Sequence, residues 1–405
     1  MPFFCPTRQR EGFMSKESGV LSGAMLPLEL NEFIAISVFV LGAIVGSFLN
    51  VVIYRVPRGI SVNSPKRSFC PACDYRIPFY HNIPLVSWIF LRGKCRKCSV
   101  GIPFRYWFVE LLTALFFLGA WVRFSGSPEV VPGLLVLLSL LICATFIDFD
   151  FQIIPDCLTK GGVVIGFLLA LAVPSTVVLL MDCPVYVEGS IGARPRALLW
   201  SIIGAVSGYA LIYSVVVLGK IAFGRKALNI PENGEWHVVE GSENPVLVTA
   251  AEKTPFEDLF FVGSERVEIE CEYAEVNGRS FNGTCLTIHH DRLLVEGEEI
   301  VIADWKTLSG KAKSMRYYRE AMGFGDVKFM ALIGAFLGWK AVLFTIFVAS
   351  VSGTAVSLPA KILRKDSPLT RIPFGPYLAL GAIAWIFVGP ELLDWYFSLM
   401  LPVGS

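Results

Sequence analysis

Val130-Val131-Pro132-Gly133-Leu134-Leu135-Val136-Leu137-Leu138-Ser139-Leu140-Leu141-Ile142-Cys143-Ala144-Thr145-Phe146-Ile147 runs for 18 residues without a charge and then meets Asp148-Phe149-Asp150-Phe151-Gln152-Ile153-Ile154-Pro155-Asp156. About 20 helical residues cross the roughly 30 Å of hydrocarbon in a bilayer, so this run reads as a membrane span with a carboxylate at its edge. Ionisable groups at that depth are costly, and by default they mark function. A second carboxylate sits at a corresponding place, because Gly323-Phe324-Gly325-Asp326 leads directly into the apolar run that starts at Val327. Two such groups point to acid/base chemistry on water, one carboxylate protonated and the other ionised.

The rest of the chain is consistent with a bilayer. Of 405 residues, 54% are hydrophobic and only 17% charged, with a mean hydropathy of +0.60, which is too apolar for a soluble chain of this length. Further uncharged runs occupy Phe33 to Tyr54, Gly161 to Met181, Ala197 to Gly219, Ala341 to Ala360 and Ile372 to Pro390. Two shorter or less apolar runs join them: Tyr106 to Val122, which carries Glu110, and Val327 to Trp339, which carries Lys328. The fold class is therefore a polytopic α-helical membrane protein of about eight transmembrane helices. The first run follows Glu29 and Glu32 rather than a basic segment, so it reads as a retained helix and not a cleavable signal.

Lys and Arg gather in cytoplasmic loops. The loop from Arg55 to Arg105 holds ten of them, including Arg58, Lys66, Arg76, Arg92 and Lys97. Eight alternating spans then bring the loop after Asp148, the segment before Gly323 and the Lys361 to Arg371 loop to the same face. Both carboxylates are expected there. Arg8, Arg10 and Lys16 in the outer tail, with Arg194 and Arg196 in an outer loop, dissent mildly. The expected organisation is a tail at 1–32, a first span at 33–54, a cysteine loop at 55–105, helices two to five at 106–223, an insertion at 224–320 and helices six to eight at 321–405.

The first loop contains Cys70-Pro71-Ala72-Cys73 and Cys95-Arg96-Lys97-Cys98, separated by 21 residues. Two such pairs fit a closed, tetrahedral, structural zinc site; disulfides are disfavoured on a reducing cytoplasmic side. Cys5, Cys143, Cys157, Cys183, Cys271 and Cys285 show no pairing pattern, and those within spans read as core.

The insertion is acidic: from Glu232 to Asp304 it carries 17 carboxylates, half of the chain's total. Alternation through Arg266-Val267-Glu268-Ile269-Glu270-Cys271-Glu272-Tyr273, with Asn277-Gly278 and Asn282-Gly283 as turn signals, predicts short antiparallel strands. Its basic end, at Lys306, Lys311, Lys313, Arg316 and Arg319, suits a segment returning to an anionic leaflet. His289 and His290 are adjacent, and adjacent strand residues face opposite ways, so they read as a solvated hairpin rather than a metal site.

No serine lies in a Gly-x-Ser-x-Gly elbow and no His-Glu-x-x-His occurs among the four histidines, which leaves carboxylate chemistry. Gly323 and Gly325 would let a substrate strand approach Asp326 closely. Asp156, before the span at Gly161, reads as a helix cap. Gly42 and Gly46 form a Gly-x-x-x-Gly step that reads as a packing face.

Several motifs together resemble the bacterial prepilin peptidases, or type IV leader peptidases. They are Gly46-Ser47-Phe48-Leu49-Asn50-Val51-Val52 with Arg55, the two cysteine pairs, Asn82-Ile83-Pro84-Leu85-Val86-Ser87, and Arg105-Tyr106 with Val109-Glu110-Leu111. Further along come Ile147-Asp148-Phe149-Asp150 with Pro155-Asp156, then Met322-Gly323-Phe324-Gly325-Asp326-Val327-Lys328, then Ile372-Pro373-Phe374-Gly375-Pro376-Tyr377. The resemblance runs from about Gly42 to about Ala384 and is interrupted by the insertion. It implies an aspartic protease of the bacterial inner membrane with Asp148 and Asp326 as the catalytic pair, Asp150 being the weaker candidate. It implies as substrates the precursors of type IV pilins or type II secretion pseudopilins, cut on the cytoplasmic side after a short basic leader. It also implies N-methylation of the new amine with S-adenosylmethionine, an activity associated with the cysteine loop. The partners expected are those precursors and the lipid bilayer, with no nucleic acid. The rival from another class is a proton-coupled transporter using the same boundary carboxylates. The insertion, where many relatives have a short link, is expected to be passive decoration.

Overall fold

The structure, a computed structural model, describes residues 28–64, 68–70, 72–181, 192–223, 225–227, 234–239, 245–249, 253–256, 266–289, 291–301, 308–318, 323–364 and 373–400. The expectations for the tail at 1–25, Cys5, Cys183, His290, Lys306, Arg319, Lys365 and Arg371 fall outside these residues. The chain divides into two compact units: Met1–Tyr209 with Gly325–Leu358 and Pro373–Ser405, and Ala210–Phe324 with Pro359–Ile372.

The first unit is helical. Its elements are α1 (Leu28–Arg55), the short α2 (Val86–Phe90), α3 (Phe104–Phe124), α4 (Val131–Phe151), α5 (Asp156–Ala172) and α6 (Pro174–Met181). To these it adds most of α7 (Ala193–Phe223), most of α8 (Phe324–Arg364) and α9 (Gly375–Met400). Six helices among the described residues are long and apolar enough to cross a membrane, and a seventh if α5 and α6 count as one broken span. The chain is thus a polytopic helical membrane protein.

Three expected spans differ in shape. The run from Gly161 to Met181 starts earlier, at Asp156, and bends by 107° between α5 and α6. Pro174 has no amide hydrogen and forces Val173 out of the helical region, to φ −131° and ψ 77°. Asp156 is consequently a first-turn residue rather than a cap, bonded to Lys160 at 2.6 Å and to Lys328. The runs at 327–339 and 341–360 join in α8, which breaks at Gly338, where φ 79° and ψ 176° leave the helix. Before the break α8 packs on α7, and after it on α9, where a Cβ on Gly381 would lie 2.7 Å from Thr345 O.

Small residues let these helices touch. A Cβ on Gly42 or Gly46 would stand 2.7 Å from Ala114 Cα or Glu110 Cα, so this step is the α1 face against α3, as the spacing predicts. The tightest crossing is Gly204 on Gly334, where a Cβ on either would reach 2.1 Å from the other's carbonyl oxygen. Gly204→Val should therefore force α7 off α8 and cost about 1–3 kcal/mol or more, read as a lowered unfolding temperature in detergent. Unchanged stability would contradict this crossing.

The second unit contains an antiparallel sheet ordered β4 (Lys253–Pro255), β3 (Val246–Thr249), β2 (Glu235–Val239), β10 (Leu308–Tyr318), β5 (Arg266–Val276), β7 (Cys285–Ile288), β8 (Arg292–Val295), β9 (Glu298–Val301). β1 (Arg225–Ala227) adds to β10, and β6 (Arg279–Asn282) to β5. The alternation in β5 buries Val267, Ile269 and Cys271 with Trp236, Leu286 and Leu293, and leaves Glu270 and Glu272 outside. Asn277-Gly278 turns the chain, both residues having positive φ (52° and 80°). Asn282-Gly283 does not: Tyr273 faces Asn282 and Glu270 faces Cys285 in one continuous register, with Gly283 at φ 68° a kink inside it. The basic residues of β10 are matched across the sheet, Lys311 to Glu272 at 2.8 Å and Arg316 to Glu270 at 3.9 Å. The first pair holds the Glu272 carboxyl below its ordinary range and raises the Lys311 ammonium.

Candidate functional site

The quoted motifs converge at one end of the helical unit. Asp148 lies in the last turn of α4, which closes when the Gln152 N–H, from a left-handed residue at φ 53°, bonds Asp148 O at 2.9 Å. The Asp148 side chain is buried and its Oδ2 accepts the Gly375 N–H at 2.9 Å. A Cβ on residue 375 would fall 2.7 Å from that oxygen, so only glycine lets the start of α9 close on the carboxylate. Asp326, in the first turn of α8, is also buried.

The two acidic motifs meet through their neighbours. Gly325 abuts Ile154, where a Cβ would sit 3.3 Å from the isoleucine Cβ, and Lys328 binds Asp156. The glycine expected to admit substrate thus admits the loop that follows Asp148. Burial leaves each carboxylate little water, which raises the cost of an unbalanced charge there.

Asp150 has different surroundings. It is bonded to Arg105 Nη1 at 2.5 Å, and Arg105 also donates to Phe146 O at 3.1 Å and stacks on the Phe146 ring. Arg105 opens α3, so this pair ties α3 to α4 beside the site. Asn50 donates to Tyr106 O at 2.9 Å, and buried Arg55 donates to Ser61 O and Val62 O, which ties α1 and its following loop into the same end.

Glu110 accepts the Leu85 N–H at 2.7 Å. Leu85 has φ 63° and ψ −48°, and Val86 N bonds Pro84 O at 2.7 Å, a three-residue turn in a strained conformation. The carboxylate inside one of the two weaker expected spans is therefore a clamp on the loop before α2. The roles of Gly375, Arg105 and Glu110 were not readable beforehand, although all three lie in quoted motifs; each role is a contact between residues at least 25 positions apart.

The four cysteines of the first loop come together, with all four sulfurs within 4.8 Å of one another. The two halves repeat one design. Phe69 bridges to Arg76 and Lys94 to Gly101, and Asp74 N and Ser99 N bond Cys70 O and Cys95 O at 2.9 and 3.0 Å. Asp74 and Ser99 both take positive φ, 52° and 58°. The Cys70 and Cys98 sulfurs lie 3.8 Å apart, which is about the edge of a tetrahedron with ligands at 2.3 Å. The set could hold a metal ion. Amide N–H groups of Cys98 and Lys97 pull the Cys95 thiol down to about 6, which makes it a thiolate at neutral pH. Of the remaining described cysteines, Cys143 and Cys271 are buried, while Cys157 and Cys285 are exposed.

Comparison with known proteins bears on the same segments. Residues 40–124 match the model of the bacterial peptidase A24 N-terminal domain, and residues 294–358 match that of the type IV leader peptidase family. A prepilin leader peptidase/N-methyltransferase of Myxococcus xanthus is 47% identical over 150 residues, 37% of this chain and 44% of that protein's length. One of Neisseria gonorrhoeae is 35% identical, covering 49% of this chain and 70% of its own length. One of Aeromonas salmonicida is 26% identical over 392 residues, 90% of this chain and 94% of its own length. No solved structure matches.

Proposed function

The chain belongs to the type IV leader peptidase family, and from that premise we propose that it is an aspartic endopeptidase of the bacterial inner membrane. It removes the short basic leader of type IV prepilins or type II secretion pseudopilins and methylates the amine it exposes. The observation that carries the reading is the contact of the two acidic motifs, Ile154 on Gly325 and Asp156 with Lys328, which brings buried Asp148 and Asp326 to one end of the helices. The transporter alternative is not favoured, since the relatives bear peptidase names.

In the proposed reaction one of Asp148 and Asp326 is ionised and takes a proton from water, whose oxygen attacks the scissile carbonyl carbon. The other, protonated, gives its proton to the carbonyl oxygen. As the resulting diol collapses and the C–N bond breaks, the amine takes the proton that the first carboxylate removed from water, and the second carboxylate takes back a proton from a diol hydroxyl. The Gly375 amide keeps the Asp148 carboxylate oriented throughout. Asp150, engaged by Arg105, is the positioning member of its motif.

On this reading eight segments cross, with α5–α6 one of them and the two parts of α8 separate, and the Lys and Arg of the loops support a cytoplasmic position for this end of the helices. An apolar pilin helix can then lie in the bilayer while its basic leader reaches the site. Zinc suits the four cysteines, and the two knuckles would hold it as a closed structural ion that supplies rigidity rather than a reacting group. S-adenosylmethionine supplies the methyl group.

The test is to incubate the purified protein with a pilin precursor and S-adenosylmethionine and weigh the product. Loss of the leader plus one added methyl is expected; an unchanged precursor refutes the peptidase assignment. The sheet is read as decoration, so deleting 230–304 should leave cleavage of a short synthetic precursor largely intact. Loss of activity in a folded deletion would instead make the sheet part of the machinery.

A further inference from the structure

The short helix α2 carries an apolar stripe that no part of the described protein covers. Val86, Ile89 and Phe90 stand at i, i+3 and i+4, on one helical face. All three are exposed, Phe90 to 81%. Tyr80 and Ile83, just before the helix, are exposed as well. A polar loop between spans has no reason to present such a stripe to water.

The opposite side of α2 says what the stripe faces. Trp88 lies with its ring centroid 5.7 Å from that of Phe104 and 6.2 Å from that of Trp107, and Phe104 lies 5.2 Å from Trp107. Trp88 Nε1 also donates to Ile102 O at 3.2 Å. Phe104 is the first residue of α3, a helix long and apolar enough to span, and Phe104 and Phe108 are exposed on it. The stripe is thus held beside the first turn of a helix long enough to span, next to the exposed Phe104 and Phe108. Aromatic residues favour this depth, where ring meets acyl chain and the polar edge meets headgroups. Exposed Arg92, Lys94, Arg96 and Lys97 follow directly, the charge that suits anionic headgroups.

We propose that α2 is a membrane-interface anchor, which lies in the plane of the bilayer with Val86, Ile89 and Phe90 among the acyl chains. The inference rests on the membrane-spanning reading. It gives the cysteine module two attachments: through Glu110 and Leu85 to α3, and through α2 to lipid. The cluster is thereby kept at the membrane surface, at the end of the helices that carries the carboxylates.

The test uses the full chain in phosphatidylcholine/phosphatidylglycerol vesicles containing a phospholipid with a diazirine in its acyl chain, and in parallel a water-soluble diazirine. Labelled residues are mapped by mass spectrometry. Phe48 and Leu115, exposed on α1 and α3, serve as internal references. The expected result is acyl-chain label at Ile89 and Phe90 comparable to the references, with loss of aqueous label there and reduced lipid label when phosphatidylglycerol is omitted. Aqueous label at Ile89 and Phe90 with lipid label confined to the references would overturn the proposal and leave the spans intact. Absence of lipid label at every position would overturn the spanning reading and the anchor with it. Protection of Phe90 only on adding a precursor peptide would also overturn it, in favour of a substrate seat.

Discussion

Asp148→Asn and Asp326→Asn should each lower leader removal by about 10²–10⁴-fold, the range that a positioned acid or base contributes. Asn keeps the shape of Asp, and its side-chain carbonyl can still accept the Gly375 N–H, so the variant of 148 should insert and fold. What it loses is the proton exchange with water and with the scissile carbonyl. Asp150→Asn is the informative control. Its carboxylate is bound to Arg105 and about a third exposed on its side-chain surface, 32%, where an ion pair contributes only about 0–1 kcal/mol. Its effect should be correspondingly modest. Cleavage is read from the mass of a synthetic precursor, with membrane insertion checked for each variant. Undiminished activity in either the 148 or the 326 variant would sink the assignment, and a larger loss at 150 would move the site to that residue.

The other large effect concerns the metal. The purified protein should carry close to one zinc equivalent per chain, and Cys70→Ser with Cys73→Ser should remove it, as read by elemental analysis. Without an ion the four thiols share one small space: Cys95 is pulled down to about 6 while Cys73 is pushed up to about 12. Despite a favourable amide bond from Tyr75, burial and the three neighbouring sulfurs keep Cys73 protonated. Binding must displace such protons, so the ion should be held more tightly as pH rises and released as it falls. The knuckles have little else to close them. Among the described residues their backbone is held by tight turns and by isolated bridges at Phe69–Arg76 and Lys94–Gly101 rather than by a regular sheet, so metal loss should open the loop to proteases while the spans persist. A metal-free protein with full peptidase and methylation activity would reject the site.

Periodicity and charge carry far in a membrane, because lipid tolerates only helices there and charges only at its edges. The segment Val130 to Asp156 for this reason announces both a span and a boundary carboxylate. The cysteine spacing was legible for a similar reason, since a tetrahedral ligand set constrains short sequence distances. Alternation likewise predicted a strand at β5, which runs over Arg266–Val276. The expected turn at Asn282-Gly283 failed because a left-handed Gly can also kink a strand whose partner holds its register. The bend at Val173–Pro174 was missed because apolar composition is blind to backbone direction, whereas the division into runs at 327–339 and 341–360 falls close to the break at Gly338.

What the sequence determined by itself is the class of protein, the approximate extent of its helices and the residue types available for chemistry. Those follow from local rules: hydrophobic length, charge position and ligand spacing. What only the tertiary structure decided is which of those residues meet. Gly375 closes on Asp148, Ile154 on Gly325, Arg105 on Asp150 and Glu110 on Leu85. Each contact joins elements far apart in the chain, and each depends on packing at distances of a few ångströms that no pattern along one strand of sequence encodes.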